Sequence, residues 1–437
     1  MVSETRTETL LRRRERALPR GLVNLHPVFV QSAEGARIVD VEGRTYTDLT
    51  SGIGVNSLGH AHPAIIDAVE RQSKAFLHTC FQVGMYDSYL DLADRLHDLT
   101  PGRFEKKTFF TTSGAEAVEG AVKFARAYTG RDAVIALQLA FHGRTFYALQ
   151  LTGRAIPYRI GFGPLAAPIH RIPFPYVYRF ADEDPEACLQ ASLDALDALF
   201  RSELPPEAFA ALVFEPIQGE AGIIVPPDSF FKELAGICKA HGILLIADEV
   251  QTGVWRTGPF CASAAFGIEP DLVAMAKSLG FGLPIGAVTG RAEILDSLEP
   301  GGLGGTMGGN PVACEAALAG LETLQGQQID RRVSELEHQV TDRLRALQQE
   351  CALVGDVRGR GLMIGIELVK DRRSKEPATE EMYQIVADCR EQGVLVLYGG
   401  AYRNMIRLLP PLTIDEDILG QALSVLESAV QTAAGRH

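Results

Sequence analysis

The chain holds 437 residues, 46% hydrophobic and 22% charged, enough for two or three domains of about 100–200 residues each and an ample core. A formal net charge of −13 sets aside nucleic acid and anionic membrane surfaces as partners, though local arginines can still capture small anions. Seven cysteines with no CxxC pair and no Cys/His cluster point to free thiols in a reducing cytoplasm, not to disulfides or a bound metal, and no apolar run reaches the roughly 18–20 residues that span a bilayer.

From the N-terminus, the stretch through Arg16 is polar and Arg-rich with Glu interleaved. It reads as a short solvated helix, not as an acid-poor transit peptide. Segments 36–40 and 45–49 flank Glu42-Gly43-Arg44 as a hairpin. A Gly- and Pro-punctuated loop over 51–63 leads into a helix over 64–77. His60 and His62 lie in that loop without an acidic or Cys partner at ligand spacing, so no metal site is expected there.

A strand over 107–112 runs into Ser113-Gly114-Ala115-Glu116 and then a helix carrying Ala117, Val118, Ala121, Val122 and Phe124. Free N–H groups and the helix dipole make such a start a phosphate seat. A plain helix cap by Ser113 explains the same residues. The strand over 133–139 ends in Phe141-His142-Gly143-Arg144. There the aromatic suits a flat ring and the Arg a carboxylate; the plainer alternative is an interface aromatic and a surface Arg. Residues 153–182, rich in Pro, Gly and aromatics, read as a long ordered loop near the site. The strand over 211–214 closes on Glu215-Pro216-Ile217-Gln218-Gly219-Glu220, whose two carboxylates are candidates for acid/base work.

After a helix over 229–241 come two apolar runs, 243–247 and 272–276, bounded by Gly and Pro. They read as buried parallel strands. The first leads into Asp248-Glu249-Val250-Gln251 and the second delivers Lys277. Parallel α/β sheets bind ligands at the carboxyl ends of their strands. A Lys to form a Schiff base and an Asp to pair with a pyridinium nitrogen are what pyridoxal-phosphate chemistry requires. A lone Lys in that place is otherwise a solvated strand end.

Gly280, Gly282, Pro284 and Gly286 form a flexible turn system. Gly301-Gly302-Leu303-Gly304-Gly305-Thr306 then precedes a helix started at Asn310-Pro311. From 328 the pattern becomes α+β: an amphipathic helix to about 350 and a strand carrying Gly359-Arg360-Gly361 come first. A helix over 380–391, strands over 394–398 and 405–409, and a last helix from Asp415 complete it. Arg407, set among Met405, Ile406, Leu408 and Leu409, requires an anionic partner, either a ligand or a local Glu.

Taken in order, the motifs SGIGVNSLGHAHP, TTSGAEAVEGAVKFAR, FHGRT, FEPIQGEAG, LLIADEVQTGVWRTG, AMAKSLG, GGLGGTMGGNP and IRLLPPLT resemble the class III aminotransferases. These belong to the pyridoxal-phosphate fold-type I superfamily, and the bacterial 4-aminobutyrate aminotransferases are the nearest branch. The resemblance runs from about Pro19 to the C-terminal helix. It implies an α/β fold with a mostly parallel central sheet in a large cofactor-binding domain, 61–327. A smaller α+β domain, 328–437, is joined by the N-terminal segment 1–60. The implied enzyme is a cytoplasmic homodimer with pyridoxal 5′-phosphate as cofactor. It moves the ω-amino group of 4-aminobutyrate, or a close homologue such as 5-aminovalerate, to 2-oxoglutarate, giving succinic semialdehyde and glutamate.

The same resemblance assigns roles. Lys277 matches the Schiff-base lysine and Asp248 the pyridinium partner. Ser113, Gly114 and Ala115 match the phosphate seat, completed by Thr306 from the other subunit. Phe141 and Val250 sandwich the ring, Gln251 lies near its phenolic oxygen, and His142 and Glu215 join the cofactor site. Arg144 matches the anchor for the distal carboxylate and Arg407 the holder of the α-carboxylate. Glu220 neutralises Arg407 while the ω-amino acid is bound, and Ile53 shapes the pocket. The chain departs from the family pattern at Phe141 (for Tyr), Ala115 (for Ser), Met307 (for Tyr) and Trp255 (for a small residue). Racemisation or other carbanion chemistry on the same scaffold, and a non-catalytic binding protein, are the competing readings.

Overall fold

A computed structural model describes residues 5–165 and 167–435; residues 1–4 and 436–437, within the expected terminal segments, lie outside the description. The N-terminal helix Arg6–Ala17 starts on a capping box between Thr5 and Glu8 and buries none of its residues, as a solvated helix should. Strands β1 (Val30–Glu34), β2 (Arg37–Asp40) and β3 (Thr45–Asp48) form an antiparallel meander. The expected hairpin pairs Arg37 with Thr47 and Val39 with Thr45. Its turn is closed by Asp40, whose carboxylate accepts the N–H groups of Glu42 and Arg44 at 2.9 Å each. In the loop that follows, His60 bonds to Asp48 at 2.8 Å and His62 caps the helix Pro63–Ala75.

The central sheet has seven strands: β4 (Lys106–Thr111), β5 (Ala133–Leu137), β6 (Ile169–Ile172), β7 (Phe209–Phe214), β8 (Leu244–Asp248), β9 (Leu272–Met275) and β10 (Gly286–Arg291). Their order is β4-β10-β9-β8-β7-β5-β6. The last five in that order, β9 to β6, are parallel, and β10 runs antiparallel to both of its neighbours. Side chains alternate between two cores. Val134, Ala136, Val213, Ile246 and Ala274 pack on the helix Gly114–Thr129. Ile135, Leu137, Leu212, Phe214, Leu245 and Ala247 pack on Phe230, Phe231 and Leu234 of the helix Phe230–His241. Burial on both faces is why these strands are continuous apolar runs with no polar alternation.

Strands β11 (Val354–Arg360), β12 (Met363–Leu368), β14 (Leu397–Gly399) and β15 (Met405–Leu408) form an antiparallel sheet in the order β11-β12-β15-β14. Between them in sequence, β13 (Val394–Leu395) leaves to pair in parallel with β3. The single strand expected over 394–398 is therefore two, belonging to different sheets. The run around Gly359-Arg360-Gly361 is likewise two strands, with Gly361 in the turn between β11 and β12. The helices Asp87–Leu99 and Pro185–Ser202 and the strands β6 and β10 were not expected; β10 begins at Gly286, the last residue of the expected turn.

Trp255 lies in the hydrophobic core. It is 4% exposed and packs edge-on against Phe260, with ring centroids 4.9 Å apart. Its neighbour Arg256 is fully buried and donates to the carbonyls of Leu362 and Pro410 at 3.1 and 2.5 Å. It thereby ties the loop after β8 to the β11–β12 turn and to the chain just past β15. Burial alone pushes its pKa down to about 9. Arg256→Ala removes this strut and leaves a cavity and two unbonded carbonyls. The expected loss is about 3 kcal/mol, read as a Tm about 3 °C lower by scanning calorimetry; an unchanged Tm would show that the strut carries no load.

Candidate active site

The carboxyl ends of β7 and β8 and the residue two past β9 converge beside the start of the helix Gly114–Thr129. Asp248 ends β8 and is 4% exposed. The Nδ1 of His142 bonds to its Oδ2 at 2.7 Å, and the N–H of Val250 donates to its Oδ1 at 3.1 Å. Lys277 follows β9 in the left-handed region, at φ 47°, a conformation costing a non-glycine residue roughly 1–2 kcal/mol. Such strain persists where the surrounding fold fixes it. The side chain is half-buried. Burial lowers its pKa; Asp248, Glu215 and Glu220 oppose the shift, and Arg407 adds to it. The sheet thus brings the charges singled out in the sequence into one electrostatic group.

At the helix start, Ser113 caps by accepting the N–H of Glu116 at 3.3 Å, leaving the N–H groups of Gly114 and Ala115 at the open end. Gly114 sits so close to Val250 that a Cβ there would lie 2.7 Å from Cγ1 of that valine. Glycine is what lets the helix start and the strand end share this wall. Glu215 accepts the N–H groups of Phe141 at 2.8 Å and Gly219 at 3.0 Å. Burial, opposed by His142 and reinforced by Asp248, pushes its carboxyl up to about 7. Gln251 is buried with its Oε1 unpartnered.

Two guanidinium groups stand in different states. Arg407, in β15 and 3% exposed, donates to Glu220 Oε2 at 2.8 Å. Arg144 is exposed. Its guanidinium lies 6.0 Å from the ring centre of Phe141 and 5.0 Å from that of Tyr158. Burial raises the pKa of Glu220, but Arg407 foremost, then Tyr158 and Arg154, bring it to a net value below the ordinary carboxylate range. Ile53, 44% exposed at φ 68°, lies in a loop pinned beside this group. Ser278 donates to Gly54 O at 2.8 Å, and the N–H of Leu409 donates to Leu49 O at 2.8 Å.

Thr306 stands beside Thr112 and Glu116, at the helix start. It lines a cavity of about 370 Å³ with Thr111, Thr112, Glu116, Lys123 and Met307, and among the described residues no hydrogen bond joins it to the Lys277 group. Sequence reasoning missed Tyr158 and Arg154, although the loop 153–182 that carries them was expected near the site. Tyr158 donates to Glu220 Oε1 at 2.7 Å, and Arg154 lies 3.9 Å from the same oxygen. No periodicity marks either residue in that stretch.

The family model described as Aminotransferase class-III matches residues 18–430. The 5-aminovalerate aminotransferase of Pseudomonas aeruginosa is 45% identical, covering 96% of this chain and 97% of its own. The 4-aminobutyrate aminotransferase of Escherichia coli is 42% identical, covering 97% of this chain and 98% of its own. Among solved structures, an (S)-enantioselective omega-transaminase from Thermomicrobium roseum superposes with a TM-score of 0.90 at 30% identity, covering 98% of this chain and 100% of its own. A pyridoxal-phosphate-bound amine transaminase from an uncultivated Pseudomonas species gives a TM-score of 0.86 at 31% identity, covering 96% and 98%.

Proposed function

The chain belongs to the class III aminotransferases, pyridoxal-phosphate-dependent enzymes of fold type I, and on that premise we propose that it moves the ω-amino group of 4-aminobutyrate or 5-aminovalerate to 2-oxoglutarate. The residues present fit the cofactor. Asp248 is a buried carboxylate at a strand end. His142 Nε2, Gln251 Oε1 and Arg407 Nε are buried polar atoms without a protein partner, as expected where a polar ligand completes the bonding. Asp248 would hold the ring nitrogen, with His142 and Glu215 behind it. Gly114 and Ala115 would hold the phosphate with Thr306 of a second copy, while Phe141 and Val250 cover the ring and Gln251 meets its phenolic oxygen.

When bound, pyridoxal phosphate supplies an electron sink for the pair left by a broken C–H bond and carries the amino group between substrates. The protein's share is to place and move protons. Lys277 Nζ takes the proton from the amine-bearing carbon; its lowered pKa keeps more of the amine neutral. Asp248 would keep a proton on the ring nitrogen by its charge, and His142 orients that carboxylate.

The observation carrying the substrate assignment is the contrast between the two arginines. Glu220 masks Arg407, while Arg144 is exposed. A donor with one carboxylate at its far end uses Arg144 and needs nothing from Arg407. A dicarboxylate keto acid uses both, once Glu220 moves. A donor panel with 2-oxoglutarate tests this. 4-Aminobutyrate or 5-aminovalerate should be preferred over amines lacking a carboxylate; equal use of simple amines overturns it. Arg144→Ala should lower kcat/KM for the ω-amino acid by about 10²-fold, and for glutamate by less, because Arg407 still holds one carboxylate. Equal losses would contradict the role.

A homodimer is proposed because Val83 and Met85 are 85% and 81% exposed, large apolar side chains that a second copy would cover. The cytoplasm is the proposed setting. The proposed division, 1–60 with 328–437 against 61–327, is supported by the β3–β13 pairing.

A further inference from the structure

Glu220 is held from two sides. Its Oε2 faces Arg407 Nη1 at 2.8 Å. Its Oε1 accepts the Tyr158 hydroxyl at 2.7 Å and lies 3.9 Å from Arg154 Nη1. The Arg154 side chain is 13% exposed and the Glu220 side chain 25%. The Arg154 guanidinium lies 5.6 Å from the centre of the Tyr158 ring. Burial foremost, then Glu220, pushes the Tyr158 hydroxyl up to about 12, so it stays a donor at neutral pH. Arg407 belongs to β15, whereas Arg154 and Tyr158 belong to the loop after the short helix Phe146–Leu151. The two cations therefore approach Glu220 from different elements.

A dicarboxylate claims Arg407 only if Glu220 lets go. A carboxylate released into a half-buried pocket without a cation pays a desolvation penalty. We propose that Arg154 and Tyr158 are positioning residues that receive Glu220: Tyr158 keeps Oε1 as a pivot while Oε2 exchanges Arg407 for Arg154. The pair thereby sets the balance between monocarboxylate donors and dicarboxylate acceptors. This rests on the aminotransferase reading above.

The test uses holoenzyme and two unreactive ligands, glutarate and butyrate, with binding followed by calorimetry, together with the two half-reactions followed by cofactor absorbance. Arg154→Met should weaken glutarate binding about tenfold more than butyrate binding. It should slow the 2-oxoglutarate half-reaction more than that of the ω-amino acid. Tyr158→Phe should shift both ratios in the same direction and less far. In a Glu220→Ala background, where no carboxylate needs receiving, the Arg154→Met effect should vanish. Equal weakening of both ligands, or an effect that persists without Glu220, overturns the inference. If the wild-type enzyme does not transaminate ω-amino acids at all, it is the functional reading that fails.

Discussion

Lys277→Ala is expected to lower kcat by about 10⁴-fold, because it removes the group proposed to move the proton and the amine proposed to hold the cofactor. No neighbour replaces it. The other charges influencing its amine are three carboxylates, Asp248, Glu215 and Glu220, and Arg407, and of these only Arg407 carries nitrogen, as a guanidinium that stays protonated. The left-handed backbone at φ 47° belongs to the position, so alanine inherits the strain and the fold survives. Borohydride treatment followed by intact-mass measurement gives a readout independent of turnover. The wild-type chain should retain the cofactor's mass and the variant should not. Cofactor trapped on another lysine, or turnover near the wild-type rate, would remove Lys277 from the centre of the mechanism.

Asp248→Asn carries the second largest expected effect, about 10³-fold on proton removal from the donor. The side chain keeps its size, but the buried negative charge proposed to face the cofactor is lost, and with it the carboxylate partner of His142 Nδ1 at 2.7 Å. Since C–H cleavage becomes the slow step, a donor deuterated at the amine-bearing carbon should show a larger isotope effect than with the wild type. A rate within tenfold of wild type, with an unchanged isotope effect, would mean that Asp248 serves the fold alone.

How legible these features were depended on what each residue does for its neighbours. Asp248 and Lys277 stood out because β8 and β9 are uninterrupted apolar runs, so a charge at each end has no packing explanation. Arg407 stood out for the same reason within β15. β10 was hidden by its own glycines. A Cβ at Gly286 would lie 2.4 Å from Thr111 Oγ1, and one at Gly290 would lie 2.3 Å from Asp271 O. Both glycines serve close strand approach, yet Gly286 reads as the end of a turn and Gly290 breaks the apolar run. The helix Asp87–Leu99 begins after Tyr86 with no side-chain cap bond, so its start carries no signal. The helix Pro185–Ser202 did carry one, an Asp184 cap followed by Pro185, masked by the Pro-rich stretch before it. Tyr158 and Arg154 act by contacts to a residue more than sixty positions away, which no local pattern reveals.

The parallel join of β13 to β3, Val394 opposite Thr47 and Leu395 opposite Asp48, bears on how the molecule is made. A ribosome releases the first three strands long before Val394 emerges. Throughout that interval β3 presents an open row of N–H and C=O groups, an invitation to pair with another nascent chain. Arg407 emerges later still. A translation product cut short before Val394 would contain Lys277 but lack Arg407, and would carry an unsealed edge into the crowd of other new proteins.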